Sequence, residues 1–232
     1  MRSLTLSAVC HLLKRFDISY KRGRQHVHSP DLLYDQKLAK IRRARELAVQ
    51  APDEVVFLYE DEITVYSRPT VGRTYGSRWR KKGDKATGGA LKTLRIAGCI
   101  DVQTGAVITR LRSRYTVKEM YRFFSFVEKQ YPQAKVIYIA LDNWPVHFHA
   151  YVQEHLAKRQ SRIRLLSLLT YAPWTNPQEK VWHTFSRDIL TQHGYGLQWD
   201  AFKTQIKEWF QGLREGSAPL LHEVGLLPDY QI

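Results

Sequence analysis

The sequence predicts an α/β domain with a mixed β-sheet and flanking helices, preceded by a short helical segment. The order of the patterns supports this. Three strand patterns follow one another after residue 52, and helix and strand patterns then alternate toward the end of the chain. One later strand, "KVIYIALDN", has few polar interruptions, as expected of a central strand with parallel neighbours.

Two helices are predicted in the N-terminal segment. Residues 7–16 have apolar side chains at helical spacing. The second helix is predicted to begin with Ser29 as its cap and Pro30 as its first residue, and to continue through "LLYDQKLAKIRRARELA". The stretch "QAPDE" interrupts this pattern. We therefore predict one domain over residues 1–52 and a second over residues 53–232.

The second domain contains strands and helices with recognisable ends. Two of its strands flank the short turn "VQTG" and are predicted to form an antiparallel hairpin. Thr116 is predicted to cap a helix that Pro132 ends. The predicted elements are, in order, strands 54–66, 92–101 and 105–111, helix 116–131, strand 135–143, helix 147–158, strand 163–169 and helix 199–213.

Positive charge is concentrated in two parts of the chain. The sequence has 36 lysine and arginine residues against 22 acidic residues, a net charge of +14. Residues 1–50 contain 11 basic and 4 acidic side chains (+7), and residues 68–95 contain 9 and 1 (+8), so the remainder sums to −1. This concentration favours binding to a polyanion such as DNA, although a solvated basic surface would have the same composition.

Composition excludes several classes of protein. Cys10 and Cys99 have no spaced partners, so the sequence indicates neither a disulfide framework nor a zinc site. No stretch approaches the ~18 apolar residues of a membrane-spanning helix. We therefore predict a cytoplasmic protein without a membrane partner.

Three acidic residues occupy positions where the predicted sheet could bring them together. Asp61 lies within the first strand, Asp142 ends the fourth, and Glu179 opens the helix after the fifth. Two-metal phosphoryl transfer needs such carboxylates on separate elements, holding two divalent ions ~3.5–4 Å apart. Mg²⁺ prefers oxygen ligands of this kind. We predict these three residues as catalytic and metal-binding.

Each acid also has a purely structural explanation. Asp61 belongs to the acidic cluster "YEDE", which would suit a surface, and Asp142 is placed to cap the next helix. Glu179 completes a capping box with Asn176 as cap and Pro177 as first helical residue. Three such positions in the right order favour one shared site over three coincidences.

Three blocks of the sequence, "YEDE", "LDNWPVHFH" and "YAPWTNPQEKVW", closely resemble the catalytic blocks of DDE transposases. They are most similar to those of bacterial insertion sequences related to the Tc/mariner superfamily. The resemblance covers residues 53 to about 190 and implies that Asp61, Asp142 and Glu179 are the metal-binding triad. The flanking residues that match the family pattern are Asn143, His147, Pro173, Asn176, Pro177 and Trp182.

The resemblance also implies a fold, cofactors and partners. It implies a ribonuclease H-like sheet whose first and fourth strands are parallel neighbours, together with two Mg²⁺ or Mn²⁺ ions. The implied partner is double-stranded DNA, at transposon ends and at the target, with a homodimer in the active complex. Residues 3–28 resemble only the closing part of a helix-turn-helix module, so we expect a partial module followed by a basic linker helix.

DNA contacts are predicted mainly in the two basic segments, where Tyr75 and Trp79 could also stack on unpaired bases. His147 is predicted to face the active site or the substrate, and Trp182 to pack in the core. The predicted DNA-binding residues are Arg22, Arg24, Arg42, Arg43, Arg73, Arg78, Arg80, Lys81, Lys82 and His147.

The sequence departs from the family pattern at two positions near the third block. The family usually has proline where Thr170 stands and an aliphatic residue where Gln178 stands. Neither residue is a metal ligand, so the prediction of the triad does not depend on them.

The first functional hypothesis is a metal-dependent transposase that cleaves phosphodiesters at transposon ends and joins the new 3′-hydroxyl to target DNA. Two alternatives stay open. One is a catalytically silent, truncated DNA-binding remnant or regulator of transposition. The other is a ribonuclease H-like nuclease that acts outside transposition and would cleave without regard to end sequence.

Overall fold

A five-stranded mixed sheet lies at the centre of the protein. The computed structural model describes residues 6–16, 18, 29–70, 90–191, 193, 195 and 198–227. The strands are β1 (Val55–Tyr66), β2 (Thr93–Asp101), β3 (Val107–Arg112), β4 (Val136–Leu141) and β5 (Ile163–Ser167). Within the sheet they lie in the order β3-β2-β1-β4-β5. The sequence predicted all five strands. Their antiparallel and parallel pairing confirms the predicted mixed sheet.

The described residues form seven α-helices, and all of them except the first pack on the two faces of this sheet. They are α1 (Leu6–Arg15), α2 (Tyr34–Gln50), α3 (Val117–Gln130), α4 (Ala150–Lys158), α5 (Gln178–Phe185), α6 (Trp199–Gln211) and α7 (Ala218–Val224). The sequence analysis missed α7, although Ser217 caps it and Gly225 ends it with a left-handed φ of 76°. This serine and this glycine are the sequence signals from which the helix could have been predicted.

β1 is the central strand and separates two apolar cores. It runs antiparallel to β2 and parallel to β4. Because side chains alternate along a strand, Phe57 and Tyr59 face one core while Val56 and Leu58 face the other. Helices α2, α5, α6 and α7 cover the first core, and α3 and α4 cover the second. The parallel β1–β4 pair brings Asp61 and the end of β4 to neighbouring positions.

The start of α2 differs from the prediction. The helix begins at Tyr34, so the predicted cap at Ser29 was wrong. Asp31 is engaged elsewhere: its Oδ1 accepts a hydrogen bond from the amide N–H of Leu33 at 2.9 Å, and its Oδ2 accepts one from the amide N–H of Thr170 at 3.0 Å. These bonds hold the residues before α2 against the loop that follows β5.

α2 itself packs on the sheet through small and branched side chains. Ile41, Ala44 and Ala48 are buried in the same core as Phe57 of β1. The boundary at residue 52 therefore separates elements that share a core, and the division into two domains stays a prediction. Among the helices that the structure describes, none combines the length and apolar character needed to cross a membrane.

Candidate active site

Asp61 lies within β1, on the sheet face that also carries Tyr59, and pairs with Gly98 of β2. Its Oδ2 accepts a hydrogen bond from the indole N–H of Trp182 at 3.0 Å. Burial, followed by the charge of Glu179, raises the pKa of Asp61 to about 7. The ionised carboxylate is therefore costly at this position, and a bound cation would remove that cost.

Gly98 creates the space through which Trp182 reaches Asp61. A Cβ atom at Gly98 would lie 2.6 Å from Cη2 of Trp182 and 3.0 Å from its Cζ2, closer than real Cβ atoms approach. The indole consequently lies across β2, where any larger residue would exclude it. Trp182 is 4% exposed, as expected of the core residue that the sequence predicted, and it also fixes the carboxylate of Asp61.

Asp142 follows directly after β4, and its side chain is 57% exposed. Its Oδ1 accepts a hydrogen bond from the amide N–H of Trp144 at 2.9 Å and lies 3.1 Å from Nδ1 of His147. Burial acts to raise the pKa of Asp142, but the hydrogen bonds from His147 and Trp144 lower it. The cap of α4 is His149, so Asp142 is not needed for that purpose.

Glu179 lies in the first turn of α5, and Asn176 fixes where that helix begins. The Oδ1 of Asn176 accepts a hydrogen bond from the amide N–H of Gln178 at 3.2 Å. Its Nδ2 donates to the carbonyl oxygen of Glu60 at 2.9 Å, which ties the start of α5 to β1 beside Asp61. α5 begins at Gln178, one residue later than predicted, and the amide N–H of Asn176 donates to the carbonyl oxygen of Pro173, so the predicted capping box was wrong. The Asn176 side chain still bonds to the first turn of α5 and so positions Glu179.

The charges of the other two predicted acids act on Asp61. Burial, then the charge of Glu179 and, more weakly, that of Asp142 raise the pKa of Asp61. Burial, and then the charge of Asp142, raises the pKa of Glu179. Such shifts require charges that are close in space. The charges of Glu179 and Asp142 therefore reach Asp61, and that of Asp142 reaches Glu179.

His147 is fully buried, so its side chain offers no surface to DNA. Its Nε2 lies 2.8 Å from Oε1 of Glu62 and 3.4 Å from Oε2 of Glu60. Burial acts to lower the pKa of His147, but the charge of Glu60 and hydrogen bonds to Asp142 and Glu62 raise it to about 11. The His147 ring thus faces acidic residues, including Asp142. The sequence predicted that His147 would face either the active site or the substrate.

Sequence reasoning missed Glu60 and Glu62 as partners of His147. Burial and the charge of Glu62 raise the pKa of Glu60 well above its ordinary value. The alternation of side chains along β1 already placed both glutamates on the face opposite Asp61. Glu62 and His147 are 85 residues apart in the chain. They come into contact because β1 pairs in parallel with β4, and local sequence patterns do not predict that pairing.

Few of the predicted DNA-binding residues lie in the described part of the chain. Arg42 and Arg43 are exposed on α2, on the side away from its buried residues. Their role in DNA binding stays a prediction. The predicted residues outside the described part are Arg22, Arg24, Arg73, Arg78, Arg80, Lys81 and Lys82, together with the stacking candidates Tyr75 and Trp79.

Comparison with known families identifies the domain that contains these acids. The family model described as "DDE superfamily endonuclease" matches residues 56–196, more than half of the 232-residue chain. The chain belongs to this family. The match includes all three predicted acids of this DDE endonuclease, and it confirms the predicted resemblance to DDE transposases. The finer resemblance to bacterial insertion sequences stays a prediction. No curated protein matches the sequence significantly.

Solved structures similar to this DDE endonuclease include several of Mos1 transposase. The Mos1 transposase paired-end complex with left transposon end has a TM-score of 0.61 at 16% identity, covering 96% of this chain and 67% of that chain. The Mos1 mariner paired-end complex with Mn has a TM-score of 0.62 at 15% identity, covering 98% and 69%. The Mos1 catalytic domain alone has a TM-score of 0.50 at 12% identity, covering 90% and 94%. At these identities the likeness concerns the fold, and it confirms the predicted ribonuclease H-like architecture.

Proposed function

We propose that this DDE endonuclease is a transposase that cleaves phosphodiester bonds at transposon ends and transfers the new 3′-end to target DNA. The observation that carries the proposal is the placement of the three acids on separate elements: Asp61 lies in β1, Asp142 follows the neighbouring β4, and Glu179 lies in the first turn of α5. The charges of Glu179 and Asp142, which add to burial in raising the pKa of Asp61, support it. Membership of the endonuclease family supports the hydrolytic step. The fold shared with Mos1 complexes that contain transposon ends supports the substrate.

The donor set fits two Mg²⁺ or Mn²⁺ ions. Asp61, Asp142 and Glu179 offer only carboxylate oxygens, which are the ligands that these hard cations prefer. When bound, such ions activate the attacking water or 3′-hydroxyl and stabilise the leaving oxygen. A similar Mos1 structure is described as a complex with Mn, which supports a divalent ion as the cofactor.

The residues around the acids keep each carboxylate in place. Trp182 donates to one oxygen of Asp61, and His147 lies beside one oxygen of Asp142. Asn176 anchors the first turn of α5 and with it Glu179. Because rotation of these groups is restricted before substrate binds, less ordering is required when the reaction begins.

Double-stranded DNA is the inferred partner, at transposon ends and at the target. The net charge of +14 and the exposed Arg42 and Arg43 on α2 support binding to a polyanion. We also infer a homodimer in the active complex, because the similar Mos1 assembly is named a paired-end complex. The cytoplasm predicted from the sequence is compatible with an enzyme that acts on DNA.

A strand-cleavage assay tests the proposed reaction. The DNA that flanks the gene is first searched for terminal inverted repeats. Labelled duplex DNA that carries such a repeat is then incubated with Mg²⁺ or Mn²⁺ and with an unlabelled target plasmid. We expect end-specific cleavage and strand-transfer product from the wild type. Asp142→Asn should lower both by about 10³-fold or more, because it removes a charged ligand from the reaction centre. Asp53→Asn, a change at an exposed acid, should leave both unchanged.

The possible outcomes separate the competing functions. Equal behaviour of the wild type and Asp142→Asn would contradict the enzymatic proposal, and DNA binding without cleavage would favour the silent remnant. Metal-dependent cleavage that ignores the end sequence and yields no strand-transfer product would favour a nuclease outside transposition.

A further inference from the structure

A second group of potential metal ligands lies on the opposite side of β1 from Asp61. Glu60 and Glu62 precede and follow Asp61, so their side chains leave the other face of the strand. The turn after β4 brings His147 to them. One ligand atom from each of these three residues lies within 4.8 Å of the other two.

Glu60 is the unusual member of this group. Its side chain is 0% exposed, and neither carboxylate oxygen accepts a hydrogen bond from the described residues. The Nε2 atom of His147, 3.4 Å from its Oε2, is its ion-pair neighbour. A buried carboxylate without hydrogen bonds is costly, and its oxygens point toward a place where two other ligands already converge.

The other ring nitrogen of His147 contacts a carboxylate, as is usual for histidines that bind a metal. Its Nδ1 lies 3.1 Å from Oδ1 of Asp142 and 3.3 Å from the carbonyl oxygen of the same residue. An Nδ1–H that donates to a carboxylate orients the ring, and a metal at Nε2 would replace the proton that Nε2 shares with Glu62 at 2.8 Å. Nε2 is the atom that faces Glu60 and Glu62.

A metal ion would fit between the three ligand atoms after a small movement of their side chains. Nε2 of His147 and Oε1 of Glu62 are 2.8 Å apart, whereas two ligands of a tetrahedral zinc ion lie about 3.3 Å apart. A shift of about 0.5 Å would therefore admit the ion. The side chain of Glu62 is 12% exposed, so this member of the group reaches solvent.

We propose that Glu60, Glu62 and His147 bind one transition-metal ion, with Zn²⁺ as the best match, at a site separate from the three catalytic carboxylates. A set of one imidazole and two carboxylates suits Zn²⁺ better than Mg²⁺. The ion would neutralise the buried Glu60 and hold the imidazole that orients Asp142. Sequence spacing alone gave His147 no ligand partners, because both glutamates lie far earlier in the chain.

Zinc binding to the full chain tests this proposal without requiring catalysis. The metal-free protein is titrated with ZnCl₂, both as wild type and as the double variant Asp61→Asn/Glu179→Gln, which removes two of the proposed catalytic ligands. We expect the double variant to retain one tightly bound Zn²⁺ per chain. Glu60→Gln should weaken that binding about 100-fold or more, since even outer-shell changes cost 10–100-fold.

Glu128→Gln is the matched control, because Glu128 is also a buried carboxylate but pairs with Arg159. It should leave zinc affinity unchanged. Zn²⁺ binding that is lost in the double variant, or that is equally tight in Glu60→Gln, would overturn the proposal. If Glu60→Gln does not fold, X-ray absorption of the zinc-loaded double variant decides: an imidazole ligand supports the site, and an all-oxygen shell or no bound zinc overturns it.

Discussion

At the scale of single residues, the hydrogen bond from Trp182 to Asp61 links the packing of the core to the chemistry of the site. The indole N–H reaches Oδ2 of Asp61 at 3.0 Å, and the ring packs against Phe185 and Phe210. Trp182 and Glu179 lie three residues apart on α5, so they share one face of that helix. One helix therefore supplies both an acid of the site and the group that orients another.

Replacing Trp182 by phenylalanine tests this orienting role. Trp182→Phe keeps an aromatic ring but leaves a buried acceptor on Asp61 without its donor, a loss of about 1.5–3 kcal/mol for a bond to a charged group. We expect Mn²⁺ affinity, measured by isothermal titration, to fall about 10-fold or more. Trp209→Phe is the control, because Trp209 packs against the same two phenylalanines. If both variants bind Mn²⁺ as the wild type does, Trp182 acts in packing only.

The raised pKa of Asp61 predicts a pH-dependent stability in the absence of metal. The folded-state pKa of about 7 exceeds the ordinary value of 3.8, so the folded protein holds this proton more tightly than the unfolded chain does. The stability that the group contributes is present below pH 3.8 and is lost as the pH rises through 7. In EDTA, Asp61→Asn should therefore be more stable than the wild type at pH 8, by up to about 4 kcal/mol, with little difference near pH 4.

Urea unfolding at several pH values measures this difference, and Asp53→Asn serves as the control for an exposed acid. Saturating Mn²⁺ should reverse the sign at pH 8, because a ligand that binds the folded wild type stabilises it. A metal-free Asp61→Asn protein that is less stable than the wild type at pH 8 would show that the carboxylate is not electrostatically costly.

At the scale of elements, β2 and α5 fit together because one side chain is missing. Gly98 leaves the space in which Trp182 crosses β2, with only 2.6 Å available to a new Cβ atom. Neither the strand pattern nor the third sequence block predicts this contact, since it depends on how α5 lies across the sheet. Gly98 is therefore part of the site although it carries no functional group.

The variant Gly98→Ala should displace Trp182 and destabilise the protein by about 1–3 kcal/mol, as other overpacked cores are. Its effect is measured by urea unfolding. Gly212→Ala makes the same chemical change where the nearest atom is 3.4 Å away and φ is −62°, so its stability should be unchanged or up to about 1 kcal/mol higher. Equal stability of the two alanine variants would contradict the close packing at Gly98.

Particular elements show how far sequence reasoning reaches. All five strands were predictable from local pattern, and so was Asp142 at the end of β4, because alternation and turn residues lie within a few positions of each other. The beginning of α2 was not predictable. The side chain of Asp31 accepts a hydrogen bond from the amide N–H of Thr170, 139 residues away. The family usually has proline at this position, and proline has no amide N–H to donate.

At the scale of the whole molecule, the strand order is what assembles the site. β1 lies between β2 and β4, so the acids of β1 meet the turn after β4 and the start of α5. The adjacency of β1 and β4 came from the family resemblance, because periodicity identifies strands but not their neighbours. The Glu60–Glu62–His147 group on the reverse face of β1 follows from the same adjacency and was missed for that reason.

The most direct test of the central claim is anomalous diffraction from crystals soaked in Mn²⁺. We predict manganese within about 2.5 Å of oxygens of Asp61 and Asp142, with Glu179 completing the ligand set. Soaked crystals of Asp142→Asn should lose that signal. Manganese bound only at Glu60, Glu62 and His147, or carboxylates of Asp61, Asp142 and Glu179 that share no ion at saturating Mn²⁺, would contradict the account.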